Sequence, residues 1–266
     1  MLKKLVVYDL KSTSRYLIPL HLFLIAITLL ARFFLTPYIS TAHPHPLMIL
    51  LLFFFIIALG GIFLSTNFVV AIRFYKNFFT NEGYLSLTLP TTVGQHLFSK
   101  TLSGSLWIMI DTILLSSSVL FALDILSYGK TINEQVTMLF GMNVIYLFLI
   151  LLLLALIGCI SSVVLLYCCI AIGQLFSGHR ILAALVAYFV FIILFKLITA
   201  GALFSSESFF SMIHISDPSI GITAAAPVYL AYITWCLKFS AISTFISGGL
   251  AYLTTYYLMR KKINLL

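Results

Sequence analysis

Residues 47 to 72 read LMILLLFFFIIALGGIFLSTNFVVAI, without one charged side chain. Crossing the hydrocarbon core of a bilayer takes about 20 apolar residues as a helix. This run exceeds that length, so it defines the solvent of the chain before anything else does. Five more runs follow the same rule: Tyr16–Leu35, Thr101–Leu126, Val136–Ala171, Ile181–Gly201 and Tyr229–Met259. The fourth and sixth are longer than a crossing needs, so they must tilt, kink or project beyond the bilayer. Helices are expected because hydrocarbon offers backbone N–H and C=O groups no partner, and a helix satisfies them within one segment. All six runs are far longer than the alternating strands of about ten residues in an outer-membrane barrel. Charged residues are 8% of the chain, against about 25% in soluble domains. The expectation is an all-α membrane protein with six transmembrane helices, residues 1–266 forming a single transmembrane domain.

Orientation follows from Lys and Arg in the short connections. With the N-terminus inside, Lys3, Lys4, Lys11, Arg15, Arg73, Lys76, Lys100, Arg180, Arg260, Lys261 and Lys262 fall on the cytoplasmic side. The outer connections carry Lys130, and Arg32, Lys196 and Lys238 lie within spans. Both termini are therefore expected in the cytoplasm of a multi-pass protein of the cell membrane. The net charge of +8 reads as a topology signal and an attraction to membrane lipid, with no nucleic acid among the partners. The first run is too long for a signal-peptide core, and its leader contains Asp9, so it is expected to be retained. Residues 1–15 are expected to form an N-terminal interfacial helix, with Leu2, Leu5, Val6 and Leu10 toward lipid and Asp9 interrupting the apolar stripe.

Motifs for catalysis are absent from the sequence. Gly129-Lys130-Thr131 matches the end of a phosphate-binding loop, but Asp124 stands where its first glycine belongs and the segment is expected outside, as a turn. The six histidines never take the H-E-x-x-H arrangement, so no metal site is expected. Asp111 and Asp124 are thirteen residues apart, about 20 Å along a helix, too far for a catalytic dyad. Cys159, Cys168, Cys169 and Cys236 lie in or beside expected helices, without disulfide spacing. No catalytic residue and no cofactor bound by this chain are expected.

Charges within spans stand out instead. Asp111 sits deep in the third span, where a charge costs on the order of 3 kcal/mol, so it must face protein or water. Lys196 and Lys238 can pair with an acid, reach outward or line a polar path, and Arg32 is expected to reach outward to the interface. Small-residue pairs, Gly61 with Ser65, Gly158 with Ser162, and Gly248 with Gly249, allow close helix contacts.

The polar insert between spans two and three carries the most information. Residues 74–100 read FYKNFFTNEGYLSLTLPTTVGQHLFSK, and residues 8–20 read YDLKSTSRYLIPL. The aromatic run, Glu-Gly-Tyr-Leu, Leu-Pro and Ser-Lys resemble the permease subunits of type-2 ABC transporters, whose order of spans also fits the whole chain. What the resemblance implies is a cytoplasmic coupling helix that docks on a separate P-loop ATPase subunit, with ATP and Mg bound there. That role maps onto Phe74, Phe78, Phe79, Glu82, Gly83, Tyr84, Leu85, Leu89 and Pro90. The residues suit it: the phenylalanines offer anchors, Glu82 a charge, Gly83 a bend and Pro90 a stop. An amphipathic helix lying on lipid is the competing reading of the same residues. The resemblance further implies a homodimer or a pairing with a second permease, export as the direction, and a partly re-entrant outer segment at 202–228.

Two other classes stay open on sequence. One is an ion-coupled carrier acting alone through Asp111 and Lys238, and the other is a membrane sensor or assembly factor without flux.

Overall fold

In a computed structural model of the chain, residues 2–39, 45–80, 83, 91–141, 143–176, 178–205 and 222–261 are described. Among them are seven α-helices, one short 3-10 turn and no strand. The helices are α1 (Leu2–Ile39), α2 (Pro46–Phe79), α3 (Val93–Ala122), α4 (Gly129–Phe140), α5 (Val144–Gly173), α6 (Arg180–Phe204) and α7 (Ile222–Lys261), with the 3-10 turn at Ile125–Tyr128. All except α4 contain a stretch long and apolar enough to cross a bilayer, which makes the chain a multi-pass helical membrane protein by length and composition.

The expected spans are recovered with two corrections. The long run Val136–Ala171 is not one helix but α4 and α5. Gly141 ends α4 in the left-handed conformation, φ +63°, and the Asn143 side chain accepts from the Ile145 amide to start α5. A glycine tolerates that backbone and an asparagine caps a helix, so two local signals override an unbroken apolar run. The N-terminal residues are not a separate interfacial helix, because α1 continues without a break from Leu2 to Ile39. At 1.5 Å per residue its 38 residues extend about 57 Å, so its first turns project well past a core of about 30 Å. Residues 206–221 of the expected re-entrant segment lie outside the described residues. Its two ends belong to α6 and α7.

The chain forms two compact units, divided at Gly129 and Lys130. In the first, α1 packs on both α2 and α3. Buried positions on α1 recur every three or four residues, at Asp9, Thr13, Leu17, His21, Leu24 and Thr28, which is one helical face. The α2 face repeats every four, at Ile62, Thr66, Val70, Phe74 and Phe78. The α3 face is made largely of small residues, Ser99, Ser103, Gly104 and Ser105, which let the neighbouring backbones approach. Two buried hydroxyls of α1 bond back into their own helix: Thr13 donates to the Asp9 carbonyl and Thr28 to the Leu24 carbonyl, both at 2.8 Å.

In the second unit α5 packs on both α6 and α7. Val164 and Cys168 meet Ala251 in its core, and the Ser161 hydroxyl donates to the Thr244 carbonyl at 2.7 Å. Gly248 lies directly beside Ser161, so that part of the expected small-residue face is a real helix contact. Gly61, Gly158 and Gly249 face open space instead. Cys159, Cys168 and Cys169 are buried and, like Cys236, form no disulfide.

The connection from α5 to α6 is closely packed at Gly173. A Cβ on Gly173 would stand 2.6 Å from the Arg180 carbonyl oxygen and 2.7 Å from the Ala184 Cβ. Gly173→Ala is therefore expected to destabilise the purified protein by about 1–3 kcal/mol, read as a lower thermal midpoint in detergent. Gly158→Ala, whose Cβ meets nothing within 4 Å, is expected to leave the midpoint unchanged or higher, because alanine favours the helix.

Candidate functional site

Polar side chains in an apolar layer must find each other, and in the first unit they do so along one seam between α1 and α3. Asp9, His21 and Arg32 on α1 meet partners 89 to 92 residues later in the chain. A near-constant offset means that the two helices run parallel and in register. Twelve residues separate the first pair of rungs and eleven the second, so the rungs are about 17–18 Å apart.

The first rung centres on Asp9, which is buried. Its carboxylate accepts from the Ser99 hydroxyl at 2.8 Å and forms an ion pair with Lys100. Asp9 does not interrupt a lipid-facing stripe, as the sequence suggested; it points the other way, into the protein. Nearby, Arg73 of α2 donates to the Ser12 carbonyl at 2.6 Å and stacks over the Tyr16 ring, fastening α2 to α1.

The middle rung is His21 with Asp111. The His21 Nε2 lies 3.2 Å from an Asp111 oxygen, and Asp111 is 0% exposed. The His21 ring stacks on Trp107 with centroids 6.0 Å apart, and Thr66 of α2 faces the carboxylate. The other Asp111 oxygen and the Trp107 indole N–H are both buried without a hydrogen-bond partner. They lie one helical turn apart on α3, an acceptor and a donor flanking the same histidine. The third rung is Arg32, which pairs with Asp124 at 3.0 Å and lies over the Phe121 ring. Arg32 thus does more than reach outward: it closes the far end of the seam. Asp124 can serve it because the chain turns there, with φ +56°.

The insert is rooted in the same unit. Phe74 and Phe78, expected as exposed anchors for a partner, are 0% and 1% exposed. They extend the four-residue buried stripe of α2, so they are core residues within this chain and do not present a docking face. Phe78 packs edge-on to His96 of α3, and His96 bonds the Thr91 hydroxyl at 2.6 Å. Thr92 then opens α3 with a capping box shared with Gln95. Phe79 is half-buried and closes an aromatic group with Phe74 and Phe78.

Gly83 is also buried. Its amide donates to the Thr80 carbonyl at 2.7 Å, and a Cβ there would stand 2.6 Å from the Phe78 carbonyl oxygen. The turn after α2 therefore needs glycine for a close backbone approach. Glu82, Tyr84, Leu85, Leu89 and Pro90 lie outside the described residues. Lys196 and Lys238 are exposed on the second unit and form no ion pair among the described residues. His21, which no motif singled out, is the residue that Asp111 meets. Its place three turns after Asp9 on the buried face was a signal, but its partner was not.

No group of three or more metal-binding side chains occurs among the described residues. No protein-family model, curated protein or solved structure matches the chain.

The middle rung has a measurable energy. Asp111→Ala and His21→Ala are each expected to destabilise the protein by about 3 kcal/mol, since each leaves a buried polar group unpaired. The double variant is expected to fall short of the sum by about 1–3 kcal/mol. Strict additivity in chemical denaturation would dissolve the pair.

Proposed function

We propose that the chain is the membrane-spanning permease subunit of an ATP-driven transporter of the type-2 ABC kind, with the motor in a separate ATPase subunit. On this reading two permease chains, identical or related, sit in the cell membrane with both termini in the cytoplasm. Export is the direction, and a path between spans opens alternately to the two sides. ATP and Mg belong to the partner, and this chain catalyses nothing.

The observation that supports this reading best is the rooting of the insert. Phe74, Phe78 and Gly83 tie the end of α2 to the start of α3, and α3 is tied by three polar rungs to α1. A push applied to the surface after Phe78 cannot be absorbed locally, because the nearest groups are packed side chains and charge-assisted bonds. It is passed into all three spans. This revises the docking surface implied by the sequence: Phe74 and Phe78 form its root, while the half-buried Phe79, Glu82 and the following residues to Pro90 form its face.

A second reading draws on a different observation. The half-satisfied Asp111 carboxylate beside His21 is what an ion-coupled carrier would hold at mid-membrane. That reading requires transport by the purified chain alone under an ion gradient, with no ATPase present.

The two readings separate experimentally. This subunit alone is expected to hydrolyse no ATP and to drive no uptake in vesicles. In the assembled complex, Gly83→Pro, which removes the amide bonded to Thr80 and crowds Phe78, is expected to reduce transport at least tenfold while ATPase activity and membrane insertion persist. Glu82→Ala is expected to act in the same direction. Transport at the normal rate in both variants would refute the docking role.

A further inference from the structure

A groove of about 690 Å³ runs between the end of α5 and the first turns of α6, a size that suits small-molecule or lipid-chain binding. Its walls are almost wholly apolar, with Ile172 and Phe176 on one side and Leu182, Val186 and Val190 on the other. One polar residue, His179, lines its mouth, and Arg180 follows it as the first residue of α6. Gly173 holds the two helices in contact beside the groove, so its shape is set by backbone packing and not by loose side chains.

Among the described residues of the second unit, no acid stands at this mouth. His179 precedes α6 without a side-chain capping bond, and the amides ahead of Ala183 face the end of the helix with no acceptor inside it. That end carries a partial positive charge, to which Arg180 adds a full one. Arg180 forms no ion pair among the described residues, and the one acid among those of the second unit is Glu134, at the other end of its helices. The apolar slot therefore has a cationic, amide-donating rim with no acid beside it among the described residues of the second unit. A helix start next to the Arg180 guanidinium suits a phosphate, and the slot below it suits an acyl chain.

We infer that this groove is a binding site for an anionic phospholipid, its phosphate at His179, Arg180 and the start of α6, and one acyl chain along Ile172, Val186 and Val190. The site rests on the membrane character of the chain and not on the transporter reading. A lipid held here pins the turn between α5 and α6 to the membrane surface, so the site would stiffen the second unit whatever the protein transports.

Photolabelling tests it. The purified full-length chain is reconstituted into phosphatidylcholine vesicles carrying a trace of photoactivatable phosphatidylglycerol, or of photoactivatable phosphatidylcholine at the same level, and labelled peptides are mapped. The phosphatidylglycerol probe is expected to label residues 172–191 about fivefold more than the phosphatidylcholine probe, the gain typical of one cation near an anionic lipid. Arg180→Ala with His179→Ala is expected to remove that preference while leaving acyl labelling in place. Ala187→Phe, which narrows the groove, is expected to reduce labelling by both probes. All variants must elute as the wild type does before their labelling is compared. Equal labelling by the two headgroups, a preference unchanged in the Arg180 variant, or crosslinking of this stretch to a second copy of the chain would each overturn the assignment.

Discussion

A carboxylate sealed inside an apolar layer has to be answered by another polar group, and everything distinctive about the first unit follows from how Asp111 is answered. His21 meets it from α1, and because both residues sit mid-helix, their contact fixes the axial position of α1 against α3. Once that register is set, Asp9 falls beside Ser99 and Lys100, and Arg32 falls beside Phe121 and Asp124. A shift by a single residue would misalign all three rungs together. Apolar packing alone would not enforce this, since in lipid the helices gain little from burying one leucine face on another. The polar seam is what makes α1 and α3 behave as one piece.

That rigidity gives the turn between α2 and α3 its meaning. Phe74 and Phe78 carry the buried stripe of α2 out to its end, Gly83 folds the chain back tightly against Phe78, and His96 with the Thr92 cap starts α3 at once. The turn's described residues, Thr80, Gly83, Thr91 and Thr92, adjoin the buried ends of α2 and α3. On the proposed reading, force reaching the turn from a partner would be carried inward as displacement of the unit. The second unit is built differently: among its described residues Val164 and Cys168 pack on Ala251, Gly173 and Gly248 allow close helix contacts, Ser161 bonds the Thr244 carbonyl, and an apolar groove lies beside Gly173.

Much of this was legible from the residues. The six apolar runs, the depth of Asp111 and the need to bury it came directly from length and desolvation cost. The partner of Asp111 did not, because helical periodicity assigns a residue to a face and never says which distant face it meets; His21 lies 90 residues away. Phe74 and Phe78 were misread for a related reason. Aromatics four residues apart fit an exposed anchor as well as a core stripe, and only the neighbours at Ile62, Thr66 and Val70 on the same face show which it is. The break at Gly141 and Asn143 was written in the sequence as a helix stop and a cap, but an apolar run on both sides hid it. The role of Asp9 was hidden by the interfacial pattern around it, since Leu2, Leu5 and Val6 suit lipid whichever way the carboxylate points.

The central claim is that the surface just beyond Phe78 receives work from a second protein. Lys76 is exposed in the last turn of α2 and stands beside that surface, so a photo-crosslinking amino acid placed there reports what it touches in native membranes. The account requires crosslinks to a P-loop ATPase subunit, with a yield that changes when ATP is bound. Crosslinks to phospholipid alone, in membranes where the protein is fully active, would contradict it.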